Sequence, residues 1–248
     1  PHAYVKLWKH HGGEPEAIYI DSVIKERGEE CFSLYGGKVS SEWMVPKVLE
    51  TLIHAPHVYE AADRYIEAMD WITWLLTDEE SRSVNGAGYK AYYNHQTGYP
   101  TKDFFKALDP RLETYVEDKL DAPVKKLGEV AGYLTAEMAN TLGLMPGTPV
   151  GVPIIDAHCG VLGGGVTKPG EMMLIVGTSF CHHIMSDKDT DVYGACAKVK
   201  DGILPGYFAY EAGQSGGGDI YAWFTDNLIP ERYEIEAREK AMGIHQLL

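Results

Sequence analysis

An apolar run ending on a carboxylate constrains this chain more than any other feature. Pro146-Gly-Thr-Pro149 leads into residues 150–155, which read as a buried strand. That strand stops at Asp156, before the small residues Ala157, His158, Cys159 and Gly160. Residues 160–166 then read as a glycine-dense helix. Strand, acid and helix in that order belong to an α/β fold, whose ligands sit in the crevice beyond the carboxyl ends of the strands. A carboxylate there can take a proton from a substrate hydroxyl. The competing reading makes Asp156 a helix N-cap, a contribution of ~1 kcal/mol. The residues alone leave both readings open.

The first half reads as helix-rich. Residues 14–32 interleave Glu14, Glu16, Asp21, Lys25, Glu26 and Arg27 with Ile18, Ile20, Val23 and Ile24, a solvated helix with one apolar stripe. Gly36-Gly37 breaks the chain, and Ser40-Ser41 is placed to cap a helix starting near Glu42. A longer helix is expected over 58–76, with Ala62, Tyr65, Ile66, Met69, Ile72 and Leu76 on its core face. Asn85-Gly-Ala-Gly88 reads as a turn, and 104–108 as a short helix ended by Asp109-Pro110. Thr135 caps a helix that runs to Leu142 and closes at Gly143.

The second half begins with hairpins. Residues 171–176 and 180–185 form two apolar strands joined by Gly177-Thr178-Ser179, and 195–200 and 203–210 flank a turn at Asp201-Gly202. An aromatic helix is expected around 220–224. The change of pattern puts a domain boundary at 158/159.

Charge narrows the partners. The chain has 248 residues, with 22 Lys and Arg against 36 Asp and Glu, a net charge of −14, which opposes nonspecific binding to nucleic acid or anionic membranes. The four cysteines show no CxxC spacing, which suits a reducing compartment, and no apolar run approaches the ~18 residues of a transmembrane helix. A cytoplasmic protein is expected. It opens on Pro1 and stops soon after the charged run 231–240, so an internal piece of a longer protein is expected too.

Several residues are placed to do chemistry. Gly177, Thr178 and Ser179 offer main-chain N–H groups and two hydroxyls in one tight turn, which suits a phosphate or simply makes a hairpin. Gly36-Gly-Lys38 fails as a Walker motif, because Phe32 stands where that motif needs glycine. Lys90, with Tyr89, Tyr92 and Tyr93 around it, can bond a polyhydroxylated ligand while rings stack on the ligand's apolar face; it reads equally as a snorkelling surface lysine. Glu211 ends a strand before a helix and can bind ligand hydroxyls or serve that helix N-terminus. His182 and His183 point to opposite faces of one strand, and Asp156, His158 and Cys159 are the only mixed group with metal-binding chemistry. No resident metal is assigned.

The ordered set of segments resembles a known family. It comprises Leu7-Trp-Lys9, Gly36-Gly-Lys-Val-Ser-Ser-Glu-Trp43, Asp70-Trp71 before Leu75-Leu-Thr77, and Asn85-Gly-Ala-Gly-Tyr-Lys90. It continues with Ile155-Asp-Ala-His-Cys-Gly160, Ile175-Val-Gly-Thr-Ser179, and Glu211-Ala-Gly-Gln-Ser215 leading to Gly218-Asp-Ile-Tyr-Ala-Trp-Phe224. Together these are similar to the FGGY carbohydrate kinases, most of all their ribulokinase branch, over nearly the whole chain. The resemblance implies an α/β fold of the actin-like ATPase type, two ribonuclease H-like domains about a cleft. Here it would be partial: residues 1–158 form the sugar-binding domain without its first strands, and 159–248 begin the nucleotide-binding one. It implies ATP-dependent phosphorylation of a sugar hydroxyl, ribulose to ribulose 5-phosphate, with Mg²⁺ bridging phosphate oxygens. Asp156 matches the family's general base, Lys90 and Glu211 match ketopentose-binding residues, and Gly177, Thr178 and Ser179 match the second phosphate hairpin. His10 stands where relatives usually carry aspartate. The family's amino-terminal phosphate hairpin and its downstream adenosine motif are absent, so little or no kinase activity is expected of this piece alone. A catalytically incomplete sugar-binding protein, a kinase for xylulose or another polyol, and a metal hydrolase using His158 and Cys159 are the rival expectations. A homodimer fits the aromatic content.

Overall fold

The computed structural model describes residues 4–29, 31–177, 179–214 and 216–248, with the backbone only at Phe32. Helix α1 (Glu14–Arg27) carries proline in its first turn, where the missing N–H costs nothing, and closes on Gly28 in the left-handed region with its N–H returned to Ile24 O. It buries Ile20 and Ile24 but leaves Ile18 in solvent, so the apolar stripe is narrower than the sequence pattern. After α2 (Cys31–Leu34) comes α3 (Met44–His54). Ser40 Oγ does accept the Glu42 N–H, yet the helix starts at Met44 with Trp43 in the cap position, two residues later than expected.

The helix expected over 58–76 is two helices, α4 (Pro56–Ala61) and α5 (Ala68–Thr77). Tertiary partners capture the backbone between them: Tyr65 N–H donates to Lys119 O at 3.1 Å and Lys119 Nζ donates to Ala62 O at 2.5 Å. The inward face of α5 is polar. It buries Asp70, Thr73 and Thr77 and exposes Trp71, Ile72 and Leu75; of the expected core face, Met69 and Leu76 are half-buried and Ile72 lies in solvent.

Strand β1 (Arg82–Ser83) pairs in parallel with β2 (Val124–Lys125), and α6 (Val84–Lys90) leaves β1 directly. The expected turn at 85–88 is therefore helical. Helix α7 (Lys102–Leu108) is capped by Thr101; β3 (Val130–Tyr133) precedes α8 (Ala136–Leu142), which Thr135 caps and Gly143 closes as read. β4 (Pro149–Gly151) pairs antiparallel with β3, and α9 (Asp156–Gly163) follows.

The second half opens on an antiparallel sheet of order β5-β6-β8-β7: β5 (Met172–Val176), β6 (Phe180–Ser186), β7 (Ala197–Lys200) and β8 (Phe208–Gln214). The β5–β6 hairpin is as expected. The β7–β8 connection is a loop rather than a tight turn, because Lys200 pairs with Phe208 and the apolar residue Ile203 is spent in the core instead of the strand. Helices α10 (Gly217–Leu228), α11 (Glu231–Glu239) and α12 (Ile244–Leu247) complete the described chain. One core runs through both halves, from Ile20, Leu49 and Phe105 to Met185 and Ala209. No helix among the described residues is long and apolar enough to cross a membrane.

Candidate active site

The site is built at the junction of α6, α9 and the four-stranded sheet. Only the start of the apolar run 150–155 is a strand; from Val152 onward it leaves its ladder. Pro153 has no N–H to give a ladder, and side chains from the entrance of α6 satisfy the backbone instead. Ser83 Oγ donates to Pro153 O at 2.6 Å, and Ile155 N–H donates to Asn85 Oδ1 at 2.9 Å. Ser83 also caps α6 by accepting the Asn85 N–H, while its own N–H donates to the buried Asp70 carboxylate at 2.9 Å.

Asp156 is the first residue of α9, with Ile155 in the cap position. Its side chain makes no capping bond and is exposed, and its charge sits at the positive end of the helix. The structure thus gives the carboxylate no capping task.

Lys90 is the last residue of α6 and is half-buried. Tyr89 and Tyr92, expected to stack on a ligand, are core residues at 1% exposure. Tyr89 lies 4.4 Å from the His158 ring, and its hydroxyl donates to Ala209 O. Tyr92 packs edge-on against Tyr35, Trp43 and Phe104. The ring stacking expected around Lys90 fails for Tyr89 and Tyr92 because both turn into the core.

Glu211 sits mid-strand in β8, opposite His183 on β6 and Ala197 on β7, and not at a helix N-terminus. Its Oε2 lies 3.3 Å from His158 Nε2. Burial opposes its charge, but the hydrogen bond from His158, with Lys90 beyond, outweighs burial and holds the carboxyl below the usual carboxylate range. His183 is fully buried with neither ring nitrogen bonded, edge-on to His158 at 4.7 Å; burial, then His158, lowers its pKa to about 4.

These groups share one electrostatic neighbourhood. Burial raises the Cys181 thiol pKa, and the charges of Glu211, Glu42, Lys90 and Asp156 all act on it. Lys90, Glu211 and Asp156, the three residues read as substrate-binding, thus all lie within electrostatic reach of Cys181. Sequence reasoning missed Glu67 and Lys47, which flank Lys90. Burial raises the Glu67 carboxyl against the pull of Lys90 and Lys47, and burial lowers Lys47. It also missed Asn85 as more than a turn former. An asparagine ahead of a glycine carries no signal for three side-chain hydrogen bonds.

The phosphate turn is partly described. Gly177 is exposed and donates its N–H to Ser179 O at 3.0 Å, closing the β5–β6 connection, while Thr178 lies outside the described residues. Among the described residues, one group could offer a metal three ligands: His158, His183 and Glu211, with ligand atoms within 4.8 Å of one another; Cys159 is not part of it.

Comparison with known proteins identifies the architecture. The N-terminal domain model of the FGGY family of carbohydrate kinases matches residues 6–163, and the C-terminal domain model matches residues 172–246. The chain belongs to the FGGY family of carbohydrate kinases. Ribulokinases from Geobacillus thermodenitrificans and Anoxybacillus flavithermus are 46% and 45% identical to it over 248 residues. All of this chain is covered in both, but only 44% of either relative, so the FGGY chain spans less than half the length of these curated relatives. Among solved structures, a xylulose kinase from Rhodospirillum rubrum matches 82% of this chain and 41% of its own, with TM-score 0.69 and 23% identity. A xylulose kinase from Bifidobacterium adolescentis matches 90% and 51%, with TM-score 0.71 and 15% identity. The fold is the actin-like ATPase arrangement of the FGGY kinases, present in part.

Proposed function

We propose that this chain forms the ketopentose site and the general base of a ribulokinase. The observation that supports this most is the 46% identity of the whole chain to a ribulokinase, and it is joined by the electrostatic reach of Lys90, Glu211 and Asp156 to one thiol, Cys181. Residues 1–158 supply most of the sugar site, and 159–248 begin the nucleotide-binding domain.

In this reading the ketose lies between Lys90 and Glu211. The lysine donates to a ketose oxygen and the carboxylate accepts from a hydroxyl, so together they fix the orientation of the acyclic sugar. Asp156, free of any capping bond, takes the proton of the attacking 5-hydroxyl. Phosphoryl transfer needs positioning and charge stabilisation more than covalent help from the protein. ATP is the phosphoryl donor and Mg²⁺ neutralises charge on its phosphates. The exposed carboxylate of Asp156 has the oxygen chemistry such an ion prefers, unlike the histidine-rich group behind it. In this reading Gly177, Thr178 and Ser179 are the residues that would serve the phosphates, as the family's second phosphate hairpin does.

The test is ADP release by the full-length enzyme across a ketopentose panel. Turnover of ribulose ahead of xylulose, lost in Asp156→Asn, supports the reading. Ketose binding without turnover would replace it with a sugar-binding protein. The 248-residue segment alone is expected to release little ADP; robust release abolished by Asp156→Asn would overturn that expectation.

A further inference from the structure

The Asn85 side chain has no freedom to turn over. Its Oδ1 accepts a main-chain N–H, from Ile155 at 2.9 Å, and its Nδ2 donates to a main-chain carbonyl, Gly202 O at 2.6 Å. A backbone N–H can only donate and a carbonyl can only accept, so amide oxygen and nitrogen are assigned by their partners. The second hydrogen on Nδ2 points to His158 Nδ1, 2.7 Å away. That nitrogen must therefore accept, and in the neutral ring the proton belongs to Nε2. Nε2 is the atom that faces Glu211 Oε2 at 3.3 Å.

We propose that Asn85 and His158 position Glu211 for the sugar. His158 is locked as its Nε2–H tautomer and donates to Oε2, leaving Oε1 as the acceptor for a ketose hydroxyl. No described residue bonds Oε1, and Glu211 keeps 21% side-chain exposure, enough to be met from the cleft. The surroundings favour a fixed ring. His158 is 1% exposed and clamped between Tyr89 at 4.4 Å and His183 at 4.7 Å, and Tyr89 is itself anchored to Ala209 O. The charged and titratable groups around it are Glu211 from β8, His183 from β6 and Tyr89 from α6, with Lys90 acting on Glu211. The same tautomer argues against a metal in this group, because the only His158 nitrogen aimed at Glu211 already holds a proton. His158 is thus a positioning residue: it reaches the substrate only through Glu211.

The inference rests on the ketose reading, and two measurements separate their failures. The first needs no activity. In the 248-residue chain labelled with ¹⁵N-histidine, at about pH 8 where an ordinary imidazole is neutral, the His158 ring should show an unprotonated Nδ1 and a protonated Nε2. The resonances are assigned by their loss in His158→Gln. A protonated Nδ1 overturns the proposal and leaves the kinase reading intact. The second is steady-state kinetics of the full-length enzyme. His158→Leu should raise the ketose KM roughly tenfold or more, the scale of a lost hydrogen bond to a charged group, with the KM for ATP unchanged. His158→Gln, whose amide N–H reaches the level of Nε2, should recover most of it. Equal losses in both variants, or a fall in kcat with the ketose KM unmoved, would overturn the positioning role. Wild-type enzyme that binds no ketose at all would overturn both the role and the reading beneath it.

Discussion

Asn85 Oδ1 accepts the main-chain N–H of Ile155 at 2.9 Å, tying the residue before Asp156 to the helix that ends in Lys90. Asp156 and Lys90 belong to segments far apart in sequence, and this buried amide holds the two segments in register. Asn85→Ala removes the acceptor for Ile155 and the donor for Gly202 at a fully buried position. Leaving those backbone groups unpaired is expected to cost about 2–4 kcal/mol, read by urea denaturation. A loss below about 0.5 kcal/mol, the range of ordinary surface substitutions, would show that water replaces the amide.

Asp156 should behave in the opposite way. It is exposed and caps nothing, so Asp156→Asn should shift stability by no more than about 0.5 kcal/mol. Activity of the full-length enzyme should fall by about 10²–10⁴, the usual contribution of a general base. Comparing the unfolding midpoint with kcat separates the two roles, and a stability loss of ~1 kcal/mol would restore the capping reading.

Gly88 and Gly86 distinguish close packing from turn-making. A Cβ on Gly88 would stand 2.4 Å from Val199 Cγ1, a stiff β-branched side chain of β7. One on Gly86 would stand 2.4 Å from Met69 Cε, the far end of a flexible side chain, and otherwise make ordinary contacts with Glu67 and Asp70. Gly88→Ala should therefore destabilise by about 1–3 kcal/mol through overpacking. Gly86→Ala should cost much less, since alanine's helix propensity offsets part of the strain. Thermal unfolding of the pair checks the difference in Tm.

That contrast shows how much of the molecule was legible in the sequence. Signals that act locally were read well: Thr135 and Gly143 bound α8, and the β5–β6 hairpin follows from two apolar runs about a glycine. Signals overridden by distant partners were not. Asn85-Gly-Ala-Gly88 has the composition of a turn, yet it is helical because its glycines let α6 approach β7 and its asparagine bonds Ile155 and Gly202. The 58–76 pattern broke where Lys119 captured Ala62 O, and the run 150–155 lost its ladder where Ser83 and Asn85 took its polar groups. Within the site, residue types at Asp156, Lys90 and Glu211 left a structural reading open beside each functional one, and the family resemblance singled them out as candidates. The histidine pair behind Glu211 was not legible, because adjacency in space between β6 and α9 leaves no spacing signature.

Asp70 gives the chain a pH dependence opposite to that of most carboxylates. It is 2% exposed, and burial first, then Glu67, raises its pKa to about 7 against the pull of the Ser83 N–H and Arg82. An ordinary aspartate titrates near 3.8, so between that pH and about 7 the native state binds the extra proton. The stabilisation from protonated Asp70 is complete below the unfolded value and is lost as pH rises through about 7. Asp70→Asn keeps an oxygen to accept the Ser83 N–H but has no charge to bury. Relative to wild type, the variant should therefore gain stability as pH rises from about 5 to about 8, by about 1–3 kcal/mol. Urea denaturation of both proteins at the two pH values measures it. A difference that stays flat with pH would mean that Arg82 keeps the carboxylate ionised despite its burial.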